Sequence, residues 1–183
     1  MGYKLSHLFK RSFITLIIGL LLVVSVSAAC GGEDDSMGWT SGRFLWLYIP
    51  GAEKTDEVKY DYKGENRILK PKEAGNTLAA VDITVLNNKS SRVMLSMTED
   101  SVFISDMSGD RYPVIDPFEG AEKTTEVFSS DEENMYSPFL WGDVELLKDF
   151  QIEGWLIFEV PFNFVPGVIV WEETESIRAN IIQ

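Results

Sequence analysis

The chain has 183 residues with 16 basic and 29 acidic side chains, one histidine and one cysteine, for a formal net charge of −13. A single cysteine allows no internal disulfide, so stability has to come from packing. A surface this acidic repels phosphate backbones and anionic head groups, which argues against nucleic-acid partners.

Lys4, Lys10 and Arg11 precede the apolar run Phe13 to Val24, which softens through Ser25 to Ala29 and stops at Cys30. A basic start, a greasy middle of about twelve residues and small residues before a processing point are the three parts of a secretory signal. Residues 1–29 are therefore expected to form a lipoprotein-type signal peptide. In that reading Cys30 carries the lipid, the chain is cut before it, and the protein sits on the outer face of the cell membrane or in the cell envelope, with the membrane as its partner. Two or three acyl chains would hold it durably. Ser27 stands where the lipoprotein box has Leu, Val or Ile, and Ser27-Ala28-Ala29 also fits ordinary cleavage, which would release a secreted soluble protein. A retained anchor wants about 20 apolar residues, and this run ends sooner.

Gly31-Gly32-Glu33-Asp34-Asp35-Ser36 can bury nothing and reads as the start of a flexible tether over residues 30–42. Residues 43–183 are left for one folded domain, a length that suits one core and is short for two. The leader takes with it His7 and three basic residues but no acid, so the processed chain has no histidine and thirteen basic against 29 acidic residues. Ser-His-Asp and Cys-His triads are thereby absent, as is a His-rich zinc site. No catalytic residue, cofactor or metal is expected.

The elements that follow read as all β. Phe44 to Ile49 is apolar throughout and stops at Pro50-Gly51, as a first strand buried on both faces would. Val81, Ile83 and Val85 alternate with Asp82 and Thr84, the period of a strand with one buried face, before Asn87-Asn88-Lys89-Ser90 turns the chain. Val93, Leu95 and Met97 form the next alternating set. Val102 to Ser105, the Gly-containing turn Asp106 to Asp110 and Arg111-Tyr112 make a hairpin. Val144 to Phe150 is the one stretch that could carry a short helical turn. Leu156, Phe158 and Val160 share a face of a strand closed by Pro161, which has no N–H for a ladder, and Val168 to Trp171 and Ser176 to Ile182 complete the set. Seven to nine short strands without a convincing amphipathic helix point to two antiparallel sheets packed face to face.

Gly75 to Asn88, Asp106 to Tyr112, and Glu153-Gly154-Trp155-Leu156-Ile157-Phe158 on to Pro161 occur in an order and spacing that resembles a family of small immunoglobulin-like domains. That family is found on bacterial and archaeal lipoproteins and secreted proteins and is catalogued as a domain of unknown function. The resemblance covers residues 56 to 182 and implies an immunoglobulin-like two-sheet sandwich outside a cell, with no family-wide catalytic residue. The chain departs from the pattern at Lys148-Asp149-Phe150, where the family has a Pro-Gly turn, and at the acidic, aromatic insertion Ser129 to Asp143.

That insertion is the expected location of function. Asp131, Glu132 and Glu133 stand beside Met135, Tyr136, Phe139 and Trp141, and loops on rigid sandwiches commonly carry recognition. The competing reading has Phe139 and Trp141 folding back to plug the core. If the aromatics are buried, the next candidate is the region of Pro50-Gly51 and Pro166-Gly167. Asp106 to Asp110 reads as a turn rather than a calcium loop, and the acids at 131–133 and 172–175 as solvated charge. The chain as a whole reads as a lipid-anchored extracytoplasmic module binding an envelope protein or glycan. A carboxylate-based envelope hydrolase and a calcium-dependent adhesion domain are the alternatives.

Overall fold

The computed structural model describes residues 38–106 and 108–182. The expected signal peptide, Cys30 and the expected tether up to residue 37 lie outside the described residues. In chain order the strands are β1 (Trp39–Ser41), β2 (Leu45–Thr55), β3 (Val58–Tyr62), β4 (Glu65–Leu69), β5 (Asn76–Asn87), β6 (Arg92–Met97), β7 (Val102–Ser105), β8 (Arg111–Pro113), β9 (Glu122–Lys123), β10 (Gly142–Leu147), β11 (Gln151–Pro161), β12 (Val168–Trp171) and β13 (Ile177–Asn180). No helix occurs among the described residues.

One sheet has the order β1-β2-β5-β11, and the layer facing it consists of the sheet β13-β12-β7-β8 and the ribbon β10-β6, with every strand pair antiparallel. Alternation decides what lies between them. Leu45, Leu47 and Ile49 of β2, Val81, Ile83 and Val85 of β5, and Leu156, Phe158 and Val160 of β11 point inward and are essentially inaccessible to water. They meet Leu95, Met97, Val102, Ile104, Ile169 and Trp171 from the opposite layer. The turn read at Asn87 to Ser90 has a structural cause, since the buried Asn87 amide donates to the carbonyls of Ser90 at 2.8 Å and Leu146 at 2.9 Å. It thereby fixes the end of β5 to β10 and satisfies both donors of its own buried amide.

A third layer covers half of the outer face of the first sheet. β3 and β4 form a hairpin closed by Lys63-Gly64, both at positive φ (57° and 80°), the conformation a two-residue turn needs to match strand twist. Val58, Tyr60 and Leu69 from this hairpin pack with Tyr136 onto Leu78, Ala80 and Ile157, making a second core. The Tyr60 hydroxyl, buried with them, donates to the Pro117 carbonyl at 2.6 Å.

Several expectations are corrected. The first strand does not stop at Pro50-Gly51: pairing with β5 shifts register between Tyr48 and Gly51 and resumes to Thr55, because a bulge accommodates a proline that cannot donate. Nor is it buried on both faces, as Trp46 and Tyr48 are only half-buried. Val144 to Phe150 carries no helical turn. Its residues through Leu147 form β10 against β6, where Leu146 is buried and Glu145 is exposed, and the tertiary partner sets the conformation. The part of β5 from Leu78 to Ala80 is buried on both faces rather than one. The sheet also begins within the expected tether, since Trp39–Ser41 pairs with Trp46–Tyr48.

Candidate functional site

The segment Ser129 to Asp143 is not a free loop carrying aromatic side chains. Tyr136 is 8 % exposed, and Phe139 stands edge-on to Tyr60 at 4.9 Å and to Phe118 at 5.7 Å inside the second core. Trp141 packs against the inner core. The main chain here runs beside β11, with Trp155 N–H donating to Pro138 at 2.8 Å and Leu140 N–H to Trp155 at 2.9 Å. Gly154 permits that approach, because a Cβ there would lie 2.9 Å from the Pro138 oxygen. The folding-back reading, made for Phe139 and Trp141, describes Trp141, which packs against the inner core, whereas Phe139 caps the outside of a sheet together with Tyr136.

The acidic clusters are engaged locally. Glu132 accepts from the Ser129 hydroxyl at 2.8 Å and lies 3.4 Å from Lys59. Those hydrogen bonds and the lysine charge hold its carboxyl below the usual range. Glu172 pairs with Arg111 at 2.8 Å. Glu175 accepts from the backbone N–H groups of Arg43, Phe44 and Leu45, serving as a cap for the start of β2. In the turn after β7, the Asp106 carboxylate accepts from Gly109 N–H at 2.9 Å and Asp110 N–H at 3.1 Å. Burial acts to raise its pKa, and these bonds with that of Ser108 outweigh it and lower the value. Among the described residues, no three acidic side chains converge in a way that could hold a metal ion.

What the fold does build is an open groove of about 510 Å3 where Pro50, Gly51 and Pro166 come together, the region named as the next candidate. Its floor is one cross-strand row of the first sheet, in which Gly51 of β2 lies opposite Asp82 of β5 and Asp82 lies opposite Trp155 of β11. Residues opposite each other on neighbouring strands present side chains to the same face. The carboxylate is thus flanked by an indole on one side and by a residue without a side chain on the other. The bulge at Pro50 sets this row, because the register shift there places Gly51 opposite Asp82. Glu53 lines the groove from the next row, and Glu153 is the diagonal neighbour of Asp82 in the row before.

Burial in this floor raises the Asp82 pKa above its ordinary value of 3.8, and the charge of Glu153 adds to the effect, partly offset by the Ile83 N–H. Trp155 is braced from behind: Tyr136 meets it edge-on at 5.0 Å and 76°, and the Tyr136 hydroxyl donates to Glu53 at 3.2 Å. Chemically the row offers a partly desolvated negative charge beside an indole. Sequence reasoning did not single out Asp82, Trp155, Glu53 or Ile182 as site residues. The available signal was Asp82 itself, a carboxylate in the middle of the longest apolar strand.

No protein-family model, no curated protein and no solved structure matches the chain.

Proposed function

We propose that the protein is exported, anchored through lipid on Cys30 to the outer face of the membrane or the envelope, and acts as an immunoglobulin-like module that binds a partner without transforming it. The strand order supports the immunoglobulin-like part. β2, β5 and β11 adjoin as the first, second and fifth strands of such a sandwich do, and β12 lies between β7 and β13 as the sixth lies between the third and seventh. The observation that carries the binding part is the groove, whose carboxylate and indole are held on two neighbouring hydrogen-bonded strands rather than on a loop. Such a rigid, partly preformed concavity is the usual form of a recognition site.

The hydrolase reading has one observation in its favour, the partly desolvated Asp82. Glycoside hydrolysis takes two carboxylates flanking the scissile bond, and both Glu53 and Glu153 are exposed to water, so the pair is half made. Mass spectrometry of the native protein tests the address: the expected amino terminus is a diacylglyceryl-modified Cys30, and Cys30→Ser should leave an uncut precursor or a soluble form released after Ala29. An unmodified Cys30 terminus would overturn the anchor. Cross-linking and pull-down from the native envelope tests the binding, and recovery of a cleaved glycan in place of a bound partner would favour the hydrolase.

A further inference from the structure

The groove allows its ligand to be named by class, and this step rests on the binding-module reading above. We infer that the groove takes a small organic cation, its ammonium group seated between the Asp82 carboxylate and the Trp155 indole.

The sign of the charge comes first. Glu53 and Asp82 are the charged residues lining the groove, and no lysine or arginine lines it. Glu172 pairs with Arg111, Glu145 with Arg92, and Glu65 with Arg67 and Lys123. Glu159 accepts from the backbone N–H groups of Lys72 and Glu73. The charge acting on Asp82 is that of another carboxylate, Glu153, so a ligand cation would supply a partner of opposite sign. The indole comes second. Tryptophan gives the strongest cation–π attraction of the aromatic side chains, and the attraction grows when the cation is desolvated. Trp155 is held by Tyr136, which is itself tied to Glu53. The walls come third. Pro50, Pro166 and Ile182 are apolar, and suit the methyl or methylene groups of an alkylated ammonium better than the hydration shell of a metal ion. The volume of about 510 Å3 lies within the roughly 300–1,000 Å3 of small-molecule sites.

Calorimetric titration of the full-length processed protein in detergent, with choline, its neutral isostere 3,3-dimethylbutan-1-ol and cellobiose as probes, tests the inference. Choline should bind saturably, and the isostere about tenfold or more weakly. Asp82→Asn should weaken choline about tenfold without lowering the melting temperature. Glu145→Gln, which removes an exposed carboxylate on the β10-β6 ribbon, should leave choline binding unchanged. Equal affinity for the isostere, tighter binding of cellobiose, or full affinity in Asp82→Asn would overturn the cation site. If choline fails to bind while the lipidated protein still captures an envelope partner, the ligand class is wrong and the module reading stands. If choline binds and Cys30 is unmodified, the site stands and the anchor falls.

Discussion

The outer face of the first sheet is two surfaces laid end to end on the same strands. Toward one end β5 and β11 show Leu78, Ala80 and Ile157, and the hairpin β3-β4 with the insertion around Tyr136 and Phe139 covers them. Two residues further along, the same face shows Asp82 beside Gly51 of β2, and here the groove stays open. Trp155 is the border, packed against the second core and lining the groove at once. β5 and β11 pair through both halves without a break in register, so on these two strands the difference is one of side-chain chemistry. Burying Leu78 and Ile157 is worth about 25 cal/mol per Å2 of apolar surface removed from water, whereas covering Asp82 would mean desolvating a carboxylate with no cation to meet it. The cap ends where that cost begins.

The inner core should dominate this comparison. Phe158 is fully buried between the layers, and Phe158→Ala should cost about 3–5 kcal/mol, a large part of the stability of a domain this size. Equilibrium denaturation followed by tryptophan fluorescence measures it. A variant that melts like the parent would mean that the two layers do not share a core.

The cap comes next. Phe139→Ala removes a ring that contacts Tyr60 and Phe118 but remains half-buried, so its cost should be smaller, about 2–3 kcal/mol. Its reach should also be local. Hydrogen exchange is expected to speed up in β3 and β4 while β12 and β13 keep their protection, because the second core is separate from the first and proteins open in contiguous units. Uniform loss of protection across both layers would erase the distinction between cap and core.

The inner half of this architecture was legible in the sequence because alternation reports one buried face directly. Val81, Ile83 and Val85, with Leu156, Phe158 and Val160, were read from period two alone and are buried as expected. The cap was not legible, for a physical reason: Leu78 and Ala80 extend an apolar run in which both faces look alike, and alternation cannot say that a second layer is present. β3 and β4 escaped notice for a related reason, since Val58 and Tyr60 are flanked by Lys59 and Asp61 in a stretch dominated by charge. The aromatic composition of Ser129 to Asp143 suits both a binding loop and a folded-back segment, because composition does not distinguish an exposed aromatic from one that caps a sheet. The groove depends on register: that Gly51, Asp82 and Trp155 form one row follows from the bulge at Pro50, which fixes which residues face each other and leaves no mark on any one strand.

The smallest expected effect falls on the bare half and has the opposite sign. In the folded state the Asp82 pKa lies above its ordinary value because burial and Glu153 disfavour the charged form. The folded protein therefore holds that proton more tightly than the unfolded chain does. Below the ordinary aspartate range both states are protonated and Asp82 carries no penalty. As pH rises through the unfolded pKa toward the folded one, stability is lost, and the loss persists at neutral pH. Asp82→Asn removes the charge, so it should raise stability at pH 7, with the gain fading as pH falls below the ordinary value of 3.8. Asp82 is open enough to water for screening to reduce the effect, which leaves a gain on the order of 0.5 kcal/mol. The measurement is a pair of melting curves at pH 7 and pH 3. A variant less stable than the parent at pH 7 would show that Asp82 is held by a favourable contact within the fold. A gain at pH 7 that disappears at pH 3 would mark a residue whose charge costs the fold stability, as expected where a ligand rather than the protein completes the site.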